Sequence, residues 1–279
     1  MNQAITSIRR TCLQAVLVSL STFLALSGGN PSFTARAEDS SSSVSNEVSN
    51  SATADPLQQL FKNNQTWVAQ INKQDPKYFA NLAKEHNPDY LWIGCSDSRV
   101  PANQVVGLDP GELFVHRNVA NMVYPIDMNV LSVLEYAVDV LQVTDIIVCG
   151  HHDCGGVQAA LKNQTHGLID NWLLGIKRVY AKNQAQVDAQ PTFADQANLL
   201  AELNVKAQVN ALVATSIVQN AWARGQKLTV HGFVFDLPTG QLKDLGVNFQ
   251  QASQVAPPFR IQYPEPAPKH TSDSKTQGS

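Results

Sequence analysis

Cysteine is scarce in this chain, with four among 279 residues. One of them, Cys12, sits in a segment read below as removed, which leaves Cys95, Cys149 and Cys154. Three cysteines do not make a disulfide framework for a protein of this size. Charge is also thin, at 15% of residues. Basic residues do not outnumber acidic ones, 20 Lys and Arg standing against 23 Asp and Glu, so the electrostatic footprint of a nucleic-acid binder is missing. No apolar run in the middle of the chain is long enough to span a bilayer, and no internal repeat is present. What is present is an apolar content of 43%, ample for the core of one large domain or two small ones.

The N-terminus reads as a signal peptide over residues 1–37. Arg9-Arg10 precedes a largely apolar run from Leu13 to Leu26, and Ala35-Arg36-Ala37 offers a small-x-small cleavage signal. Arg9-Arg10-x-x-Leu13 also resembles part of a twin-arginine signal, with Ile8 where Ser or Thr is usual. Removal of this segment takes away three basic residues and no acidic one, so the net charge falls from −3 to −6. The protein is expected to be exported, to the periplasm or alternatively to a thylakoid lumen. Residues 38–54 are rich in Ser, Asn and Ala and are expected to form a disordered linker. The folded domain is expected over 55–255, and a proline-rich, then polar tail over 256–279 is expected to be mobile.

Within the domain, Asp55-Pro56 and Asp75-Pro76 are helix starts, an N-cap followed by proline at the first helical position. Strands are expected at Tyr90–Gly94, Leu113–His116, Ile146–Gly150, Leu228–Phe235 and Leu242–Val247. Helices are expected at 129–141, from Gly155, at 168–180 and, with a break, at 193–224. Strands alternating with helices give an α/β fold. Its sheet is mostly parallel, carries an antiparallel edge strand turned at Pro238-Thr239-Gly240, and is flanked by helices. The first helices carry a large apolar face that a lone sheet cannot cover.

Two stretches carry the chemistry. Leu91-Trp92-Ile93-Gly94 is an apolar strand, and Cys95, Asp97 and Arg99 follow at alternate positions. Asp145-Ile146-Ile147-Val148-Cys149-Gly150 is another, followed by His151-His152-Asp153-Cys154-Gly155-Gly156. Open α/β sheets bind ligands beyond the carboxyl ends of their strands, where both stretches end. Zinc favours thiolate and imidazole donors, and a catalytic site leaves its fourth position open. Cys95, His151 and Cys154 supply such a Cys2His set, with the glycines giving the loop freedom to wrap an ion. A structural site would need a fourth donor, Asp97 or His152. Buried structural residues are the other reading of His-x-x-Cys taken alone.

Cys95-Ser96-Asp97-Ser98-Arg99-Val100-Pro101, the run Pro110 to Asn121 (PGELFVHRNVAN) and Gly150-His151-x-x-Cys154-Gly155-Gly156 resemble the signatures of β-class carbonic anhydrases of bacterial type. The likeness runs from about Asp55 to Leu245. It implies one zinc ion per subunit, held by Cys95, His151 and Cys154, and reversible hydration of CO2 to bicarbonate and a proton. The attacking group would be a zinc-bound hydroxide oriented by the catalytic pair Asp97 and Arg99. It also implies a homo-oligomer, a dimer or a dimer of dimers, with the N-terminal helices packing on a partner subunit.

In one bacterial subgroup the Asp can swing onto zinc, and bicarbonate bound by a Trp, an Arg and a Tyr favours that inactive form. Trp92 and Arg117 match two of those positions, and Phe235 stands at the third without a hydroxyl. A site missing one donor is expected to be weaker, and core packing is the other reading of Trp92 and Phe235. His152 is the nearest candidate to carry protons, against the plainer reading of a solvated loop residue. His116 and His231 are read as structural, and Cys149 as an inert core residue. Two rivals remain: a non-catalytic relative that uses the fold for binding, and a hydrolase of COS or CS2 on the same scaffold.

Overall fold

Five strands line up in the order β2-β1-β3-β4-β5, where β1 is Tyr90–Cys95, β2 Leu113–Asn118, β3 Asp145–His151, β4 Thr229–Asp236 and β5 Gln241–Phe249. The computed structural model describes residues 55–84 and 86–264. The expected signal peptide, the Ser-rich linker and residues 265–279 lie outside the described residues. β1 through β4 run parallel, and β5 returns antiparallel to β4. The mostly parallel α/β sheet with one antiparallel edge is therefore the observed fold, and each strand falls within one or two residues of its sequence pattern. Among the described residues no helix is long and apolar enough to cross a membrane.

The order of the strands explains where the site lies. From β1 the chain steps one way to β2, and from β2 it crosses back to β3 on the other side of β1. At such a reversal the crossovers leave on opposite sides and open a crevice at the carboxyl ends of the two central strands. Those ends are Cys95 and His151.

Alternation along the strands divides the core. Leu91, Ile93, Ile146 and Val148 face a cluster built by α4 (Met128–Glu135), α8 (Phe193–Val213) and α9 (Ser216–Ala223), through Val130, Leu134, Val205, Val209, Leu212 and Val218. Trp92, Ile147, Cys149 and Phe235 face the opposite side, with Val100 and Ala102 of the segment leading into α3 (Ala102–Val106). A third cluster, from α5 (Gly155–Lys162), α6 (Ile169–Lys182) and α8, closes around Cys95 and Cys154. Gly150 is required by space: a Cβ there would lie 2.6 Å from Cγ2 of Val205, so α8 could not lie so close to β3.

The helices differ from the sequence pattern in several places. α1 (Pro56–Gln74) starts at the expected proline, but α2 (Tyr78–Leu82) is only five residues long. The helix expected over 129–141 is α for its first half and turns π at Tyr136–Val140. α7 (Gln184–Asp188) has no counterpart in the pattern. The break within 193–224 falls at Thr215, whose hydroxyl caps α9 by accepting from the Val218 amide. α1 buries none of its residues, and Leu60, Phe61 and Trp67 remain exposed, Phe61 at 64%. Trp67 meets Phe79 of α2 edge to face.

The tail corrects the expectation of mobility from Ala256. Residues 256–264 lie against α9, and the fully buried Gln219 holds them. Its amide nitrogen donates to Phe259 O at 2.9 Å and Val213 O at 3.1 Å, and its oxygen accepts from Ile261 N at 2.8 Å. Arg260 reaches back to the carbonyls of Ser253 and Val255. Proline-rich composition signals a chain that cannot pair with itself, but a buried side-chain amide can supply the pairing instead. Gln219→Ala strands the buried Val213 carbonyl and two half-buried groups of the tail, and is expected to cost about 2 kcal/mol. Urea unfolding measures it, and an unchanged midpoint would refute the clamp.

Candidate metal centre

Cys95 ends β1, His151 ends β3, and Cys154 immediately precedes α5. Their donor atoms lie within 4.8 Å of one another, and all three residues are buried. The loop between His151 and Cys154 turns at Asp153, whose φ of 54° is left-handed. The glycines after it open α5 in ordinary helical backbone. The wrap thus comes from Asp153, and the expectation that the glycines supply the freedom is corrected.

The imidazole is prepared as a donor. His151 Nδ1 lies 2.8 Å from the His152 carbonyl, which can only accept, so the proton belongs on Nδ1 and Nε2 carries the lone pair. That Nε2 is buried and has no hydrogen-bond partner among the described residues. An unpartnered ring nitrogen in an interior is costly unless something fills the place of its partner. The two sulfurs complete the set. Cys154 faces the backbone amides of Gly156 and Val157 at the start of α5, and Cys95 accepts from the Ala120 amide at 3.4 Å. The thiols interact so closely that Cys95 is shifted far down, chiefly by the Cys154 hydrogen bond, while the same contact pushes Cys154 up. Two soft sulfurs and one imidazole are a donor set that fits zinc.

Asp97 and Arg99 form a two-pronged pair: Nε donates to Oδ1 at 3.0 Å and Nη2 to Oδ2 at 2.7 Å. The Arg99 amide also donates to Oδ1. These bonds, led by the guanidinium, hold the Asp97 carboxyl well below the usual carboxylate range. Asp97 Oδ2 is 3.7 Å from His151 Nε2, so the carboxylate faces the donor set. Asp153 holds Arg99 from behind. Its carboxylate accepts from Nη1 at 3.0 Å and its carbonyl from Nη2 at 3.2 Å, while Gln158 and Asn198 fix Asp153 itself. Asp153 was visible in the sequence between two ligand candidates, but a role in gripping Arg99 needed the fold.

Arg117 donates through Nε to Cys95 O at 2.8 Å and through Nη2 to Asp97 O at 2.5 Å, so it ties the end of β2 to the reactive loop. Trp92 is 1% exposed and packs with Cys149 and Phe235. His152 is no solvated loop residue. Its Nδ1 is 2.9 Å from Asp236 and its Nε2 is 3.2 Å from Glu202, and the two carboxylates raise it above its ordinary range, Glu202 most. Glu202, paired also with Lys243, is lowered to about 2, chiefly by His152. Both ring nitrogens thus face carboxylates, which favour the protonated ring. His116 is buried beside Asn118, and His231 bridges Asp145 and Asn248, both structural. Cys149 is buried and its thiol pushed up by desolvation, as a core residue should be.

The loop Val119–Val123 lies beside Cys95. Ala120 and Asn121 are both left-handed, with φ of 63° and 48°. Such backbone costs of order 1–3 kcal/mol per strained residue, less for Asn, and persists only where its surroundings enforce it. No feature of the sequence marks this bend.

Comparison with known proteins follows the same lines. The family described as "Carbonic anhydrase" matches residues 90–242. A curated carbonic anhydrase of Emericella nidulans is 46% identical over 190 residues, covering 68% of this chain and 83% of its own. A solved tetrameric β-carbonic anhydrase of Sordaria macrospora is 39% identical with a TM-score of 0.68, covering 69% of this chain and 98% of that one. A Coccomyxa β-carbonic anhydrase solved with acetazolamide is 42% identical with a TM-score of 0.68, covering 72% and 90%. These relatives, with fungal proteins foremost, lend nothing to the bacterial, exported qualifier expected from the sequence. Residues matched by the family span both strand ends and the whole donor set, so the chain belongs to the β-class carbonic anhydrase family.

Proposed function

We propose that the chain hydrates CO2 reversibly with one zinc ion held by Cys95, His151 and Cys154. The observation that carries this reading is the buried, unpartnered Nε2 of His151 beside two buried sulfurs. Zinc bound there would acidify water and so supply a strong nucleophile at neutral pH. The side chains do the rest. Asp97, ionised and acceptor-only, takes a hydrogen bond from the nucleophile and so aims its lone pair at CO2. Arg99 keeps Asp97 charged and fixed in direction, and Asp153 keeps Arg99 in place. Arg99 holds both oxygens of Asp97 and carboxylates face both nitrogens of His152, which supports an open fourth position over a closed four-ligand structural site.

The test is stopped-flow hydration on zinc-loaded protein with metal analysis. One zinc per chain with rapid hydration is expected. Stoichiometric zinc without hydration would favour the non-catalytic reading, and faster turnover of COS or CS2 would favour the hydrolase.

Trp92, Arg117 and Phe235 support a structural role over a bicarbonate switch. Trp92 and Phe235 lie in one buried cluster, and Arg117 spends Nε and Nη2 on backbone carbonyls. Bicarbonate titration at pH 8 is expected to leave the rate free of cooperative inhibition. A steep loss of activity would restore Trp92 and Arg117 as a regulatory site.

The exposed Leu60, Phe61 and Trp67 of α1 support assembly into a dimer or a dimer of dimers, in line with the tetrameric Sordaria enzyme. Export to a periplasm or thylakoid lumen rests on Arg9-Arg10, the run from Leu13 and Ala35-Arg36-Ala37. A mature N-terminus near residue 38 would support export, and an intact first peptide would remove that support.

A further inference from the structure

Two polar side chains sit deep in the apolar face of α8. Asn204 is 1% exposed and Gln208 is 5% exposed, and they lie one helical turn apart among Ala201, Val205, Val209 and Leu212. Polar groups in such a place need partners, and theirs lie in one loop. Asn204 Nδ2 donates to Ala120 O at 3.0 Å. Gln208 Oε1 accepts from Val123 N at 2.9 Å, and its Nε2 donates to Asn204 Oδ1 at 2.8 Å. From the other side, Trp172 of α6 donates to Val119 O at 2.8 Å. Asn118 closes the loop on itself, accepting from Met122 N at 2.7 Å and donating to Met122 O at 2.8 Å.

The backbone so enclosed is the left-handed pair Ala120-Asn121. One group of the loop is aimed elsewhere. The Ala120 amide points at the Cys95 sulfur, 3.4 Å away.

We propose that Asn204 and Gln208, with Trp172 as their counterpart on α6, are positioning residues of the metal centre, holding the Ala120 amide as a hydrogen-bond donor to the Cys95 thiolate. The proposal rests on the zinc reading given above. Its physical content concerns charge. Two thiolates donate strongly and offset the charge of a divalent ion, which makes the metal a poorer acid than three neutral imidazoles would leave it. An amide donor on one sulfur withdraws part of that donation. Groups behind the ligands commonly act in this way, and their loss costs about 10- to 100-fold in metal affinity or activity.

Cobalt substitution reads the sulfur directly. In Asn204→Leu, loss of the donor to Ala120 O frees the loop. The thiolate-to-cobalt charge-transfer band is then expected to move to lower energy, as befits a more electron-rich sulfur. The zinc form should show an upward shift in the pH midpoint of hydration and about a tenfold loss at neutral pH. Replacement of Ala120 by lactic acid, which exchanges the amide for an ester, deletes the N–H and weakens the Val119 carbonyl as an acceptor for Trp172, should produce the same band shift even if Asn204→Leu fails to fold. Gln219→Ala, which weakens the fold far from the metal, should leave the band in place. An unmoved band in the ester variant, with cobalt bound, would overturn the proposal. Failure of the unaltered protein to bind either cobalt or zinc would instead overturn the zinc reading itself.

Discussion

Cys95→Ala is expected to yield a folded chain that retains little zinc after dialysis and hydrates CO2 no faster than the uncatalysed background. The reason is the number of donors. Three side chains meet at one place; Asp97 is engaged by Arg99, the His152 ring is held by Asp236, and the Cys149 thiol turns to Gly150 O. Two remaining donors cannot hold an ion against its hydration shell, because metal affinity here depends on a preformed set. The loss of one sulfur from the interior is a small change in packing, so a chain that still unfolds cooperatively should separate loss of metal from loss of fold. Cys149→Ala is the natural comparison. Its sulfur is buried in the core behind Trp92, with a thiol pushed up by desolvation, and it should keep both zinc and activity. Atomic absorption and stopped-flow measurements on the two variants decide the matter. Equal zinc content in both would remove Cys95 from the donor set.

Asp97→Asn is expected to retain zinc and lose roughly 10²- to 10⁴-fold in hydration, the usual scale for a positioned proton-handling group. The substitution keeps the size of the side chain. It removes the charge that Arg99 grips and offers an NH2 group where the nucleophile needs an acceptor. The pH dependence has a definite sign. The folded pKa of Asp97 is depressed, so its pairing with Arg99 is present above its ordinary value of 3.8 and is lost only as pH falls through the lowered one. Asp97 therefore stays ionised across neutral and alkaline pH and adds no slope there. On the zinc reading, a rate that rises between roughly pH 6.5 and 9 in the unaltered protein is assigned to the water that a bound ion would activate. A flat profile over that range, or an Asp97→Asn variant of undiminished rate, would refute the role of the pair.

Much of this was legible in the linear chain because its signals are local. An apolar run ending at Gly94 fixes a buried strand, and Cys95, Asp97 and Arg99 follow it closely enough to share its end. The same holds for Gly150 and the His151–Cys154 turn. Asp97 and Arg99, two residues apart, could be read as a pair without knowing the fold. The tail could not be read, because Gln219 is about 40 residues from the carbonyl and amide it holds. The same distance hid the state of His152, whose carboxylates come from α8 and β4. α8 did carry one signal that could have been used. Asn204 and Gln208 interrupt an otherwise apolar face at helical spacing, and buried amides always require an account of their partners.

The sequence by itself determined the α/β pattern and pointed to the two strand ends where Cys95, His151 and Cys154 gather, because strand period, turn residues and side-chain type are all properties of neighbouring residues. Only the tertiary structure decided that Arg99 answers to Asp153, that His152 is clamped between Asp236 and Glu202 and that Ala120 turns its amide to Cys95. Each of those facts depends on groups brought together from distant parts of the chain, and a hydrogen bond is set by distance and angle in space, which spacing along a chain does not encode.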